Sequence, residues 1–497
     1  MTLAPAWRTR LFATGAALVA VWMGVAIANQ EFVLPVLFAL GLVGLALAWL
    51  QPLPLPTLVL GGVACGYLIG NRGFAQISPV SFFPLFPAEI ALVIGVTFLL
   101  VQSALRRELP LQRDALNLIL LVWLVIGTGR LFQDVRSYGF AALRDFALVY
   151  YVGFFFLAQH AARDPAGRRF LHHCLLVGCA VLLPLHALYQ VYPDFFLGTL
   201  TFRGAPLIFY KGDLAGTFLA AGSVLFFLRF ESGGSRWQAA LSLALAAGAL
   251  ATNNRASMLG LAVVTILLFV AGRRRYAVTL GAAGLGAALV LILAANLSNS
   301  RWEKTPLYGV YERALSVFDP FGQRTYSGED TYYKGDNNLF RAVWWRAVYD
   351  DTMAENPWVG LGWGRDLADR FLREYYPNAG DEFSTRSPHN VLLTIFGRLG
   401  LAGLLPFLLL IVVLVRRTVR AARAGPSDDT ALWCVAGIIL VSACFGVVLE
   451  GPMGAVIFWT ALGTANARLT EPALAVILPA DLHPAAPEPA LASRSAP

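Results

Sequence analysis

Charge is what this sequence has least of: 14% of its 497 residues are Asp, Glu, Lys or Arg, against 57% hydrophobic residues. A soluble fold of this length needs far more polar surface, which excludes a single water-soluble globule. Cysteine is scarce too. All five (Cys65, Cys174, Cys179, Cys434, Cys444) fall in apolar stretches, with no Cys-x-x-Cys pair. That excludes an external disulfide framework and leaves them as small core residues. There is no His-Glu-x-x-His, no Gly-x-Ser-x-Gly and no Walker A loop. No Asp-x-Asp pair occurs either, so the usual carboxylate clamp for a metal–nucleotide-sugar donor is missing.

What the chain does have is apolar runs of about 17–25 residues, the length that crosses a bilayer core. They fall at 11–29, 31–50, 55–71, 84–104, 115–132, 145–162, 171–192, 214–230, 237–252, 256–272, 276–296, 391–415, 431–449 and 452–468. The fold class is therefore an all-α polytopic membrane protein with about 12–14 transmembrane helices, because only helices satisfy so many backbone groups in lipid. The first run, after Arg8 and Arg10, reads as an uncleaved anchor. The net charge of +8 could point to nucleic acid, but its placement does not. Arginines gather in alternate short loops (Arg106/Arg107/Arg113, Arg163/Arg168/Arg169, Arg273/Arg274/Arg275, Arg416/Arg417/Arg420/Arg423), as the positive-inside rule requires. Both termini are then cytoplasmic and no nucleic-acid partner is expected.

Four regions follow: an N-terminal transmembrane bundle over 1–296, a polar external loop over 297–390, C-terminal transmembrane helices over 391–469 and a disordered Ala/Pro-rich tail over 470–497. In the loop, Phe340, Val343, Trp344, Ala347 and Val348 recur at helical spacing, an amphipathic helix stopped by Asn356-Pro357. Gly360-Leu361-Gly362-Trp363-Gly364 reads as a flexible turn. A short helix is expected at about 365–376, with Leu367, Phe371 and Tyr375 on one face. Ser387 then reads as N-cap and Pro388 as first residue of the next span. Gly281, Gly284 and Gly286, inside a span, read as a close helix-packing face.

His389 is the residue best suited to acid–base chemistry. It stands at the outer mouth of a span, and none of the other histidines (His160, His172, His173, His186, His483) reaches that side. Isolated external cations accompany it: Arg203, Lys211, Arg255, Arg341 and Arg346. An arginine fork binds phosphate oxygens bidentately and keeps its charge when partly desolvated. Such a set with one histidine suits an anionic lipid headgroup such as a polyprenyl pyrophosphate; the alternative is that each arginine snorkels to water or pairs with a carboxylate. Arg398 lies deeper and needs an anionic partner, for which Glu450 is a candidate, in a structural ion pair. Asp381 and Glu382 can orient His389, bind sugar hydroxyls or simply be solvated.

Arg341-x-x-x-Trp345-Arg346-Ala347 followed by Asn356-Pro357-Trp358-Val359-Gly360-Leu361-Gly362-Trp363-Gly364 resembles the signature of the O-antigen ligase/polymerase superfamily. His389-Asn390-Val391-Leu392-Leu393 with Gly400-Leu401-Ala402-Gly403 looks like its continuation. Thr252–Ser257 is similar to its short element at a span mouth, and Arg203 to the arginine preceding a further segment. Here Lys211-Gly212-Asp213 replaces the usual Pro-Asn, and Arg398 stands where an acidic residue is common. The resemblance implies a GT-C-like, metal-independent, inverting glycosyltransferase in the bacterial inner membrane, with no cofactor. Its donor would be a glycan on undecaprenyl pyrophosphate, met at the periplasmic face, and its acceptor lipid A–core or another glycan or glycolipid. His389, Arg255 and Arg341 would be catalytic. Arg203, Lys211, Arg346 and Asn390 would bind substrate. A ligase is the first reading, a polysaccharide polymerase of the same superfamily the second and a glycolipid transporter the third; a protein O-oligosaccharyltransferase is a further variant.

Overall fold

The computed structural model describes residues 53–78, 86–107, 111–252, 254–297, 306–319, 323–324, 326, 334–375 and 386–469, with isolated positions between 20 and 28. Among the described residues nine longer helices come before the polar segment, besides the short turns Arg72–Ala75 and Phe195–Thr199: α1 (Leu55–Gly70), α2 (Pro87–Arg106), α3 (Ala115–Tyr138), α4 (Phe140–Ala161, broken near Phe146 and Tyr151), α5 (Pro165–Val191), α6 (Gly212–Glu231), α7 (Arg236–Ala251), α8 (Arg255–Val270) and α9 (Arg274–Leu297). The segment contributes α10 (Pro306–Val317), α11 (Lys334–Glu355) and α12 (Asp369–Tyr375). The chain then returns through α13 (Val391–Ala424), α14 (Asp428–Ala443) and α15 (Pro452–Asn466). Twelve of the fourteen expected spans coincide with these helices, and the first two (11–29 and 31–50) lie largely outside the described residues.

Among the described residues seven helices are long and apolar enough to cross a membrane, and α1 and α8 are shorter apolar helices. The only sheet among the described residues is a two-stranded hairpin of β1 (Thr201–Phe202) and β2 (Ala205–Pro206). The protein is an all-α polytopic membrane protein. Local chemistry sets its helix starts: Asp114 caps α3 by accepting from the Asn117 amide at 3.0 Å, and Asp164 caps α5 ahead of Pro165. One apolar core runs through the bundle. α6 is buried along nearly its whole length, from Leu214 to Leu228, with α7 and α14 beside it.

The polar segment has a core of its own, built from Trp344, Ala347, Val348, Leu361, Leu367, Ala368 and Phe371. The expected helical spacing is borne out, since Trp344, Ala347 and Val348 are buried and Phe340 and Val343 pack against them. Trp344 stacks on Phe371 at 5.3 Å and its indole N–H donates to the Leu367 carbonyl at 2.9 Å. α12 starts later than expected, because the Asp366 carboxylate accepts from the Ala368 amide and forms a turn first.

The Gly360–Gly364 turn is not flexible. It is locked into a break in α13 at Gly400, where φ is +60°. In an unbroken helix the Leu401 and Ala402 amides would donate to Gly397 and Arg398. Here they donate to the carbonyls of Pro357 (2.8 Å) and Trp358 (2.9 Å). The freed Gly397 and Arg398 carbonyls accept instead from Leu361 (2.7 Å) and Gly362 (3.1 Å). No backbone group is lost in this exchange. A Cβ at Gly360 would sit 2.6 Å from the Arg398 backbone, so glycine is required by close approach as well as by its positive φ.

Two other expectations are corrected. α13 is capped by Asn390, not Ser387, and starts at Val391, because the Asn390 side chain accepts from the Leu392 and Leu393 amides. Gly281, Gly284 and Gly286 have no neighbour within 4 Å of a built Cβ, so among the described residues they form no packing face on α9.

Candidate active site

The site forms where four segments of chain meet: the loop before α13, one face of α11, the mouth of α6 and the mouth of α8. His389 has φ +56°, a left-handed conformation rare for a residue with a side chain. It is held by its neighbours. The Trp345 indole N–H donates to the Pro388 carbonyl at 2.7 Å. The Trp344 ring meets the imidazole edge to face at 5.8 Å. Ser387, two residues earlier, donates to Glu450 Oε1 at 2.7 Å. No hydrogen bond to the imidazole exists among the described residues, so its nitrogens are uncommitted.

Arg341 lies one turn before Trp344 and Trp345, so α11 presents all three on one face towards this loop. Its Nε is buried without a hydrogen-bond partner and it enters no ion pair among the described residues. Burial lowers the Arg341 pKa, and Asp213 opposes that shift. Arg255 is the first residue of α8. Its Nη1 donates to the Ser316 carbonyl at 3.2 Å, tying it to the end of α10, and the charge of Arg341 reaches it. The Asn254 side chain caps α8 and also donates to the Asp213 carbonyl at 2.6 Å, joining the mouths of α8 and α6. Lys211 pairs with Asp213 at 3.0 Å, and its ammonium donates to the Val447 carbonyl at 3.4 Å.

These groups share one electrostatic environment. Burial first, then the charges of Arg341 and Lys211, push the His389 pKa down to about 4, while Asp213 acts in the opposite sense. The imidazole is therefore neutral at physiological pH and can accept a proton or a hydrogen bond. Asp213 opposes Arg341, Asp319 acts on Arg255 and Glu450 on Lys211, so the one donor left open among these cations is the buried Arg341 Nε, which an anionic ligand could fill.

The structure thus brings together His389, Arg341, Arg255 and Lys211, and adds Asp213. Sequence reasoning passed over Asp213, though its place two residues after Lys211 was a usable signal. The other three candidates sit differently. Arg346 lies on the far side of α11 with 83% of its side chain exposed, 3.5 Å from Asp350. Arg203 is at the exposed tip of the β1–β2 hairpin, over the Phe202 ring at 5.4 Å. Arg203 and Gly204 both have positive φ, the geometry of a tight hairpin turn. Asn390 spends its side-chain oxygen on the helix cap. Asp381 and Glu382 lie outside the described residues.

Arg398 is buried in an ion pair, but its partner is not Glu450. Its Nη2 meets Asp145 Oδ2 at 2.7 Å, and Nη1 donates to the carbonyls of Gly362 and Arg365. The turn at Gly360–Gly364 brings those carbonyls down onto α13, which puts Asp145 within reach as well. The expectation of a structural ion pair holds with this different partner. Among the described residues no three His, Cys, Asp or Glu side chains gather as a metal site.

Residues 240–408 match the family model described as O-antigen ligase. No curated protein matches the chain. The matched stretch runs from α7 into α13 and contains Arg255, Arg341 and His389, with the exchange of backbone bonds at Gly400 near its end; Lys211 and Asp213 join the site from outside it. Over that stretch, which takes in Arg255, Arg341 and His389, the chain is similar to the O-antigen ligase family.

Proposed function

We propose that this protein transfers a glycan from undecaprenyl pyrophosphate to an acceptor sugar, lipid A–core or a similar glycolipid, at the periplasmic face of the bacterial inner membrane. Both termini are then cytoplasmic, and residues 297–390 form a periplasmic domain over the transmembrane bundle. The observation that carries the reading is a histidine that makes no hydrogen bond among the described residues, beside the charges of Arg341 and Lys211 and inside the stretch that matches O-antigen ligases.

The reaction is a single displacement with inversion and needs no metal. The acceptor hydroxyl oxygen attacks the anomeric carbon. The bond from that carbon to the pyrophosphate oxygen breaks, and its electron pair leaves with the undecaprenyl pyrophosphate. The hydroxyl proton passes to the free nitrogen of His389. Arg341 and Arg255 hold the leaving group and stabilise its growing charge, with Lys211 beside them. Donor binding also strengthens the base: the pyrophosphate offsets the cations that depress His389, so the imidazole regains basicity when substrate is in place.

The test is transfer by the purified protein in liposomes, with an undecaprenyl-pyrophosphate oligosaccharide as donor and lipid A–core as acceptor. Product on lipid A–core is expected from wild type and not from His389→Ala. Longer chains still on the carrier would make the protein a polymerase. Equal product from wild type and His389→Ala would overturn the mechanism.

A further inference from the structure

Glu450 lies in the turn between α14 and α15, far in sequence from every residue of the site. It is nonetheless the hub of the loop that presents His389. Ser387 Oγ lies 2.7 Å and Thr394 Oγ1 2.8 Å from the same oxygen, Oε1, and the two hydroxyls are 3.0 Å apart. Ser387 precedes His389 by two residues, and Thr394 is in the first turn of α13 after it. One carboxylate oxygen therefore closes a bracket around the histidine. Thr394 also has the Asn390 carbonyl at 2.9 Å, but a bond to a carboxylate is the stronger use of its single proton.

A bracket is needed here because the His389 backbone is in the left-handed region, which is unfavourable for a residue with a side chain. Such a conformation persists only when its surroundings over-determine it. Trp345 fixes Pro388 from the α11 side, and Glu450 fixes Ser387 and Thr394 from the bundle side. The same turn accepts Lys211 at Val447, so it also ties the mouth of α6 to this loop. Glu450 Oε2 is buried and unpartnered, so the carboxylate's hydrogen bonding goes entirely through Oε1.

We propose that Glu450 is a positioning residue of the transfer reaction: by bracketing Ser387 and Thr394 it sets the angle at which the His389 ring meets the acceptor hydroxyl. This rests on the reading of His389 as the base. Glu450 makes no hydrogen bond or ion pair with Arg341 or Arg255, and among the site's cations its charge reaches Lys211 alone, so its loss should act chiefly on turnover and little on donor capture.

Four variants test this in the liposome assay: Glu450→Ala, Glu450→Gln, His389→Ala and the double variant Ser387→Ala/Thr394→Val, each also titrated with undecaprenyl pyrophosphate. Glu450→Ala should lower kcat about 30- to 100-fold and leave carrier affinity within about threefold, the pattern of a misplaced reacting group. Glu450→Gln keeps an oxygen that accepts both hydroxyls, so most of the turnover should return. The double variant leaves the carboxylate in place and should reproduce the kcat loss, which keeps the test open if Glu450→Ala does not fold. Wild-type kcat in Glu450→Ala, carrier affinity lost in step with kcat, or no rescue by Gln would each overturn the proposal. An inactive His389→Ala beside a fully active Glu450→Ala would remove this inference alone, whereas an active His389→Ala would remove the reading beneath it.

Discussion

Two arginine-centred regions lie on either side of the start of α13, and they use charge in opposite ways. Around Arg398 the guanidinium is saturated, with Asp145 on one nitrogen and the carbonyls of Gly362 and Arg365 on another. Around His389 one cation is left wanting: Arg341 has a buried nitrogen without a partner, and among the described residues no hydrogen bond reaches the imidazole. A buried charge with its donors filled holds a fold together. Buried donors left open are held ready for something that is not part of the chain. On the function proposed above, what separates Arg341 from Arg398 is the completeness of the partner set.

The sharpest way to break that comparison is to remove the reactive group of the open region. His389→Ala should lower kcat by about 10²- to 10⁴-fold, the usual contribution of a positioned general base. Its folded stability, read by thermal unfolding in detergent, should barely change, because no hydrogen bond is lost with the ring. A large loss of stability would mean that His389 belongs with Arg398 as a structural residue.

The reciprocal experiment is Arg398→Leu. It removes the closest cation of Asp145, which keeps the Gly364 amide at 3.1 Å and only the longer pairs to Arg144 (3.8 Å) and Arg386 (3.9 Å). Removing one partner of a buried pair costs about 3–5 kcal/mol, which should appear as a much lower unfolding temperature. The carbonyls of Gly362 and Arg365 lose a donor as well, so the lock at Gly360–Gly364 should loosen. Protein that remains folded should keep its affinity for undecaprenyl pyrophosphate. Unchanged stability would show that the saturated set contributes little.

Much of this was legible in the sequence, and the rest failed for nameable reasons. The spans were visible because lipid imposes length and composition on every crossing helix. The face of α11 was visible because Trp344, Ala347 and Val348 obey helical spacing. The glycine turn was misread as flexible, since nothing local reveals that positive φ at Gly360, Gly362 and Gly364 serves a zipper with α13, more than thirty residues away. The Arg398–Asp145 pair joins positions 253 residues apart (398 minus 145), and only the packed fold brings them within 2.7 Å. Glu450 was assigned to the wrong partner for the same reason.

Arg341→Lys gives a middle-sized effect and a pH signature. A lysine keeps the charge but loses the fork, so donor use, measured as kcat/KM, should fall about ten- to hundredfold. Because kcat/KM reports the free enzyme, the wild-type acid limb should lie near pH 4, where His389 takes up its proton. Arg341→Leu removes a charge that depresses that pKa, so the limb should move up towards the ordinary value of about 6.5. Asp213→Asn removes the one opposing charge and should move the limb down. A limb that ignores both substitutions would mean that His389 is not the titrating group.

Arg346→Ala should do almost nothing, and that makes it a useful control. The two arginines of α11 look equivalent in sequence, yet five residues on an α-helix amount to about 140° of rotation. Arg341 shares its face with Trp344 and Trp345, whereas Arg346 points to solvent beside Asp350. An exposed pair of this kind contributes about 0–1 kcal/mol, and the site holds no contact from it. Activity within about twofold of wild type, beside the large loss in Arg341→Lys, would show that orientation on the helix and not the local count of positive charge selects the functional arginine. A loss in Arg346→Ala as large as in Arg341→Lys would mean instead that the polar segment closes over the donor with its outer face turned inward, a rearrangement that the packed Trp344–Phe371 core argues against.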